Sequence, residues 1–175
     1  MWNKPTLIEH LNAAIADCRT AADSVDDTRF FDNSAGKWSI AENLIHLAKS
    51  AKAVHKGLVN GPTALLTFFG TASAPSQDYE AVVARYQAAL ASGLIAPSSF
   101  VALSSPDDTR AGVLERYDLE HKTLVESLNA YSEEELDQVQ LPHPALGNMT
   151  VREMLYFMVY HIGHHQKAVE RLVGG

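Results

Sequence analysis

A single cysteine in 175 residues leaves this chain no internal disulfide, and Cys18 has no CxxC neighbour for a zinc ribbon or redox pair. Long apolar runs are missing too: no stretch approaches the roughly 18 residues needed to cross a bilayer. The opening MWNKPTLIEHLNAAIADC has no basic segment followed by an apolar one, so no secretory signal is expected and a cytoplasmic protein is. Basic charge is also scarce. Lys and Arg number 14 against 21 Asp and Glu, a formal net charge of −7, with no basic stripe to displace counterions from a nucleic acid. GxSxG, Walker and GxGxxG signatures are absent, as are HExxH and the paired ExxH of carboxylate-bridged dimetal bundles. Internal repeats, low-complexity tracts and β-patterns of useful length are not evident either.

What remains is helical periodicity over a length that suits one domain, residues 1–175. Leu7, Leu11, Ile15, Cys18, Ala22 and Val25 form the stripe of a first helix, with Thr6–Glu9 read as a capping box and Asn3 before Lys4-Pro5 as the alternative start. DDTRFFDNSAGK then breaks the pattern with turn residues. A second helix begins at a Ser39–Glu42 capping box, carries the seam Ile40, Leu44, Leu47, Ala51, Val54 and Leu58, and is ended by Gly61-Pro62. A third runs from about Gln77 to Ala91. The fourth runs from about Asp108 to Ala130, with Leu114, Tyr117, His121, Leu124 and Leu128 in its seam. YSEEELDQVQLPHPALGN is expected to hold only a short turn. The last helix follows a Thr150–Glu153 capping box flanked by Met149 and Met154 as a hydrophobic staple. The expected fold is all-α, a four-helix bundle with short extra helical turns. Its long connections, near 60–77 and 92–107, leave room for a crossover.

Three histidines in five residues stand on the last helix. Val151, Leu155, Met158, Ile162 and Val169 define its apolar stripe. His165 falls inside the stripe, His161 lies about 40° further round, and His164 points about 100° beyond His165. Two imidazoles at i and i+4 share a face about 5–6 Å apart, near enough to reach one cation at about 2.0–2.1 Å. Packed histidines satisfied by hydrogen bonds are the alternative, and HxxxH alone does not decide between them. A third ligand would come from another helix. His46 sits one residue before seam position Leu47, able to lean inward or to face solvent. His121 is a candidate fourth ligand or a group that orients a ligand, or simply packing. His10, His55 and His143 carry no spacing argument and read as surface residues.

GKWSIAENLIHLAKS resembles the second-helix signature of the DinB/YfiT-like superfamily, where a Trp-Ser pair and a capping Glu precede the first metal histidine. HPALGNMTVREMLYFMVYHIGHHQKAVERL is similar to that family's closing segment, with a Gly-x-Met-Thr start and an HxxxH pair. The resemblance implies a four-helix bundle with unusual connectivity, a homodimer, a small-molecule substrate and no contact with DNA, and the missing apolar runs leave no membrane contact expected. It implies His46, His161 and His165 as metal ligands, and His164 as a neighbouring histidine that does not ligate. Gln166-Lys167-Ala168 departs from the Arg-Gly-Gln or Leu-Lys-Gln of many relatives, which leaves the subfamily open.

Three neutral imidazoles would leave a metal its charge and an open position, the arrangement of a catalytic site. Zinc and nickel are the leading ions, with iron, copper or manganese behind them. The resemblance implies thiol-dependent transferases and isomerases, with a low-molecular-weight thiol as cofactor, or metal-dependent hydrolases. A non-catalytic stress-response module that holds a metal or ligand is the second class. Glu42 is the one candidate for a catalytic or second-shell carboxylate, although its capping duty explains it more simply. Tyr156 and Tyr160 are candidates to line a pocket. Cys18, in the seam of the first helix, reads as a packed small hydrophobe.

Overall fold

The computed structural model describes all residues except 35, 94, 96 and 175. The first helix, α1 (Lys4–Asp23), starts one turn earlier than a Thr6–Glu9 capping box would place it. The Asn3 side chain accepts the Thr6 N–H at 3.0 Å, and proline occupies the first turn, where its missing donor costs nothing. Turn residues then give way to the short α2 (Asp27–Phe31), capped by Asp26, which drives Phe30 into the core.

The second long helix, α3 (Ile40–Leu58), has the expected start. Ser39 N–H donates to Glu42 Oε2 at 2.8 Å, and Glu42 N–H donates to Ser39 Oγ at 3.1 Å. Gly61-Pro62 follows its end but does more than stop it, because those residues open α4 (Gly61–Phe69). Proline in a first turn is as good a start signal as a stop signal. After α5 (Tyr79–Ala91), capped by Asp78, the next connection holds a 3-10 turn at Ser98–Phe100. The helix α6 (Arg110–Ser127) then buries Leu114, Tyr117, His121 and Leu124, and tightens into a 3-10 turn at Leu128–Ala130.

The segment 131–148 departs most from expectation. It holds the short α7 (Glu135–Gln138) and the first strand of an antiparallel hairpin, β1 (Gln140–His143) with β2 (Gly147–Thr150). Leu141 pairs with Met149, both buried, and Gly147 turns the chain at φ +72°, a conformation only glycine adopts without strain. Strands of four residues, one carrying Pro142, leave almost no alternation to read.

From the hairpin the chain passes directly into α8 (Val151–Gly174) through the Thr150–Glu153 capping box, with both bonds at 3.1 Å. Residues 151–158 of α8 are all buried, which its neighbours explain: α8 packs along α1 and also bears on α3 and α5, while α3 packs along α6. Arg152, 2% exposed, is the charged exception. A cation in the first turn of a helix opposes the macrodipole, so it requires partners of its own. Its guanidinium donates to Asp137 at 2.6 Å, to Glu133 at 2.7 Å and to the Trp2 carbonyl at 2.6 Å, tying α7 and the N-terminus to the start of α8. Among the described residues no helix is long and apolar enough to cross a membrane.

Candidate metal centre

His161 and His165 project from one face of α8 toward α3, where His46 leans inward from its flanking position. The three rings are 4%, 9% and 5% exposed, respectively. Their centroids form a near-equilateral triangle, 4.9 Å between His46 and His161, 4.7 Å between His46 and His165, and 4.8 Å between His161 and His165. One nitrogen from each ring lies within 4.8 Å of the other two.

Hydrogen bonds fix which nitrogens face inward. His46 Nδ1 is 2.8 Å from the Phe100 carbonyl, so it carries the proton and Nε2 keeps a lone pair. His165 Nδ1 is 2.7 Å from Asn43 Oδ1. That amide is itself oriented, since its Nδ2 donates to Ser39 O at 2.8 Å. His165 therefore also keeps its lone pair on Nε2. His46 Nε2 and His161 Nε2 stand 3.0 Å apart, and His161 Nδ1 is buried without a partner among the described residues. Two nitrogens each about 2.0–2.1 Å from one cation lie about 3.0–3.4 Å apart at angles of about 95–110°, so this spacing fits a shared ion.

Burial keeps the rings uncharged. It lowers His161 well below the ordinary histidine range and His165 to about 3, with the neighbouring histidines adding to both. His46 is lowered by burial too, against the opposing pull of the Phe100 carbonyl. Unprotonated imidazole is the form a metal requires. Aromatic rings complete the enclosure: Phe157 stacks on His161 at 5.0 Å, and Trp38 lies 4.9 Å from His46 and 6.0 Å from His165.

A cavity of about 350 Å³ adjoins the three histidines, with Tyr86, Leu141, Met158 and Phe157 among its walls. His164 is exposed at its edge. The other expected residues lie elsewhere. Glu42 is spent on the cap of α3 and on Asn33, 3.5 Å from its other oxygen, and does not line the cavity. The His121 ring lies tilted against Tyr117, centroids 4.2 Å apart, donates Nδ1–H to the Tyr117 carbonyl and is likewise outside the cavity lining. Tyr156 accepts the Trp2 N–H and Tyr160 accepts from Gln87, so neither lines the cavity, where Tyr86 stands instead. Cys18 is fully buried with its thiol pushed up to about 11 by desolvation, so it offers no thiolate.

Sequence reasoning missed Asn43, the Phe100 carbonyl and His143. A signal for Asn43 existed, since it lies three residues before His46 and so shares its helix face, a polar group in an otherwise apolar run. A carbonyl on a connecting segment carries no side-chain signal. His143 was read as a surface residue, yet it is half-buried, lines the cavity and stands edge-on to Phe157 at 4.5 Å.

The family model described as the DinB superfamily matches residues 6–169. The chain belongs to the DinB superfamily. That match spans every element from α1 to most of α8 and contains all three histidines. Members of the DinB superfamily generally bind metal, and the three close histidines are compatible with that property. No curated protein and no solved structure is similar enough to register as a match.

Proposed function

We propose that this DinB-superfamily chain is a metal-dependent enzyme in which His46, His161 and His165 hold one divalent transition metal, and that it transfers a low-molecular-weight thiol to a small electrophile. The observation that carries this reading is the convergence of three neutral imidazoles beside an otherwise apolar cavity. When bound, the ion would acidify a thiol or water next to it and polarise a carbonyl. Zinc and nickel suit an all-imidazole set, as does iron.

The protein's own groups do the orienting. Phe100 and Asn43 hold the outer nitrogens of His46 and His165, so both rings present lone pairs without reorganising. Phe157 and Trp38 exclude water from the ring faces. The cavity lining separates thiol transfer from hydrolysis. Among its described residues there is no Asp or Glu, so an attacking water would meet no carboxylate base. A thiol starts from an ordinary value of about 8.5, far below that of water, so the same cation would leave it ionised more completely at neutral pH. A cavity open to a ligand also sets this reading above a closed, non-catalytic metal holder.

Elemental analysis of protein purified without an affinity tag is expected to find stoichiometric zinc, nickel or iron. Conjugation of a low-molecular-weight thiol to chlorodinitrobenzene is expected to depend on that metal and to stop on chelation. Metal-free protein, or conjugation indifferent to chelation, would overturn the proposal. Asn43→Ala is expected to weaken zinc affinity by about 10- to 100-fold, because His165 loses its orienting acceptor. Asn43→Asp, which restores an acceptor, is expected to recover most of it in a chelator-competition titration.

A further inference from the structure

His143 takes no part in the three-histidine cluster, and the reading above assigns it nothing. Its surroundings are nevertheless specific. The backbone N–H groups of Ala145 and Leu146 both donate to His143 Nδ1, each at 3.1 Å. Nδ1 must then hold the lone pair, and in a neutral ring the proton sits on Nε2. Burial, helped by the charge of Arg85, lowers this histidine to about 4, so the neutral form persists at pH 7. Pro142 and Pro144 flank the residue and restrict the backbone on both sides. The Phe157 ring meets both His143 and His161, with centroids 4.5 Å from the first and 5.0 Å from the second. A fixed, uncharged N–H donor thus stands one ring away from the cluster on the wall of the same cavity.

The rest of that wall says what it would recognise. Leu141, Pro142, Met154, Phe157 and Met158 are apolar. Tyr86 keeps its hydroxyl proton, its pKa raised by burial and the nearby Tyr160. No Lys, Arg, Asp or Glu is among the described lining residues. Apart from the ion proposed at the three histidines, the wall offers a ligand oxygen neutral donors only. A carbonyl or ester oxygen needs only one donor.

We propose that His143 is a specificity-determining residue, donating Nε2–H to the acceptor oxygen of an uncharged, largely apolar ligand of the aryl ketone, aldehyde or ester class. This deepens the reading of the cavity as a substrate site, and it rests on that reading for where the ligand sits. Two probes of similar shape test it on the intact protein: acetophenone and ethylbenzene. Acetophenone is expected to bind about fivefold more tightly than ethylbenzene, the factor of one ordinary hydrogen bond. Its binding is expected to move the His143 Nε2 resonance in nitrogen-detected imidazole spectra.

His143→Leu should erase the preference for acetophenone, and His143→Gln, whose amide nitrogen replaces Nε2, should keep part of it. A preference unchanged in His143→Leu would overturn the proposal. So would imidazole shifts in the unmodified protein showing the proton on Nδ1, a result that needs no variant to fold. Metal content measured on the same samples separates the two readings. Acetophenone preference without metal supports His143 and defeats the metal proposal, whereas metal without preference defeats His143 alone.

Discussion

Alanine at His161, His165 or His46 is expected to abolish metal retention, while alanine at His164 leaves it nearly intact. Three neutral ligands share one ion in the proposed site, and losing any one leaves two, so the cost should exceed the roughly 10- to 100-fold of an outer-shell change. His164 shares the helix but not the face: it is exposed, and its ring meets His165 edge-on at 5.3 Å without pointing at the common centre. His46 is the sharpest of the three tests because it is the one candidate ligand supplied by α3. Zinc titration of the dialysed variants, with near-ultraviolet circular dichroism to confirm folding, reads the result. Equal loss from all four substitutions, or retention by His46→Ala, would defeat the assignment.

The candidate site was legible wherever a local pattern carried it. Helix starts at Ser39 and Thr150 are capping boxes, written in four consecutive residues each, and both stand as expected. The i, i+4 pair on α8 follows from helix geometry alone. His46 was harder, because its place beside the seam permits either direction. Its inward lean depends on how α3 packs against α8 and on the Phe100 carbonyl reached from a distant connection. That partner is a backbone atom 54 residues away, invisible to any side-chain pattern. His143 was lost for a related reason. Its role depends on a hairpin whose strands are too short to show alternation, and on two backbone donors that exist only once the turn has formed.

The same distinction explains the misread boundaries. Thr6-x-x-Glu9 has the residue types of a capping box, but Asn3 caps the Thr6 N–H one turn earlier, where proline needs no partner, and lengthens the helix. Gly61-Pro62 carries start and stop chemistry together, and only the packing of Leu65 into the core selects a new helix over a loop. Competing local signals are resolved by burial. Burial is set by the whole fold.

Mild acid is expected to destabilise the chelated protein through His121, and His121→Leu should remove that sensitivity. The ring is 1% exposed, donates Nδ1–H to the Tyr117 carbonyl at 2.7 Å, and leaves Nε2 buried with no partner among the described residues. Burial lowers its pKa from 6.5 to about 4. Between those two values the unfolded chain takes a proton that the native state refuses, so stability falls as pH falls. The contribution is fully present above about pH 6.5, is lost progressively down to about pH 4, and does not change further below that. At about 1.4 kcal/mol per unit, the whole window is worth about 3 kcal/mol, of which about 2 falls between pH 7 and pH 5. Leucine fills a similar volume without an unmet nitrogen, so His121→Leu is expected to lose about 2 kcal/mol less than the parent over that interval in urea unfolding. The comparison isolates this residue because the other buried histidines are common to both proteins. Equal losses would mean that the native state accepts the proton at His121 as readily as water does, and the ring could not then be packed in the α6 seam as the structure has it.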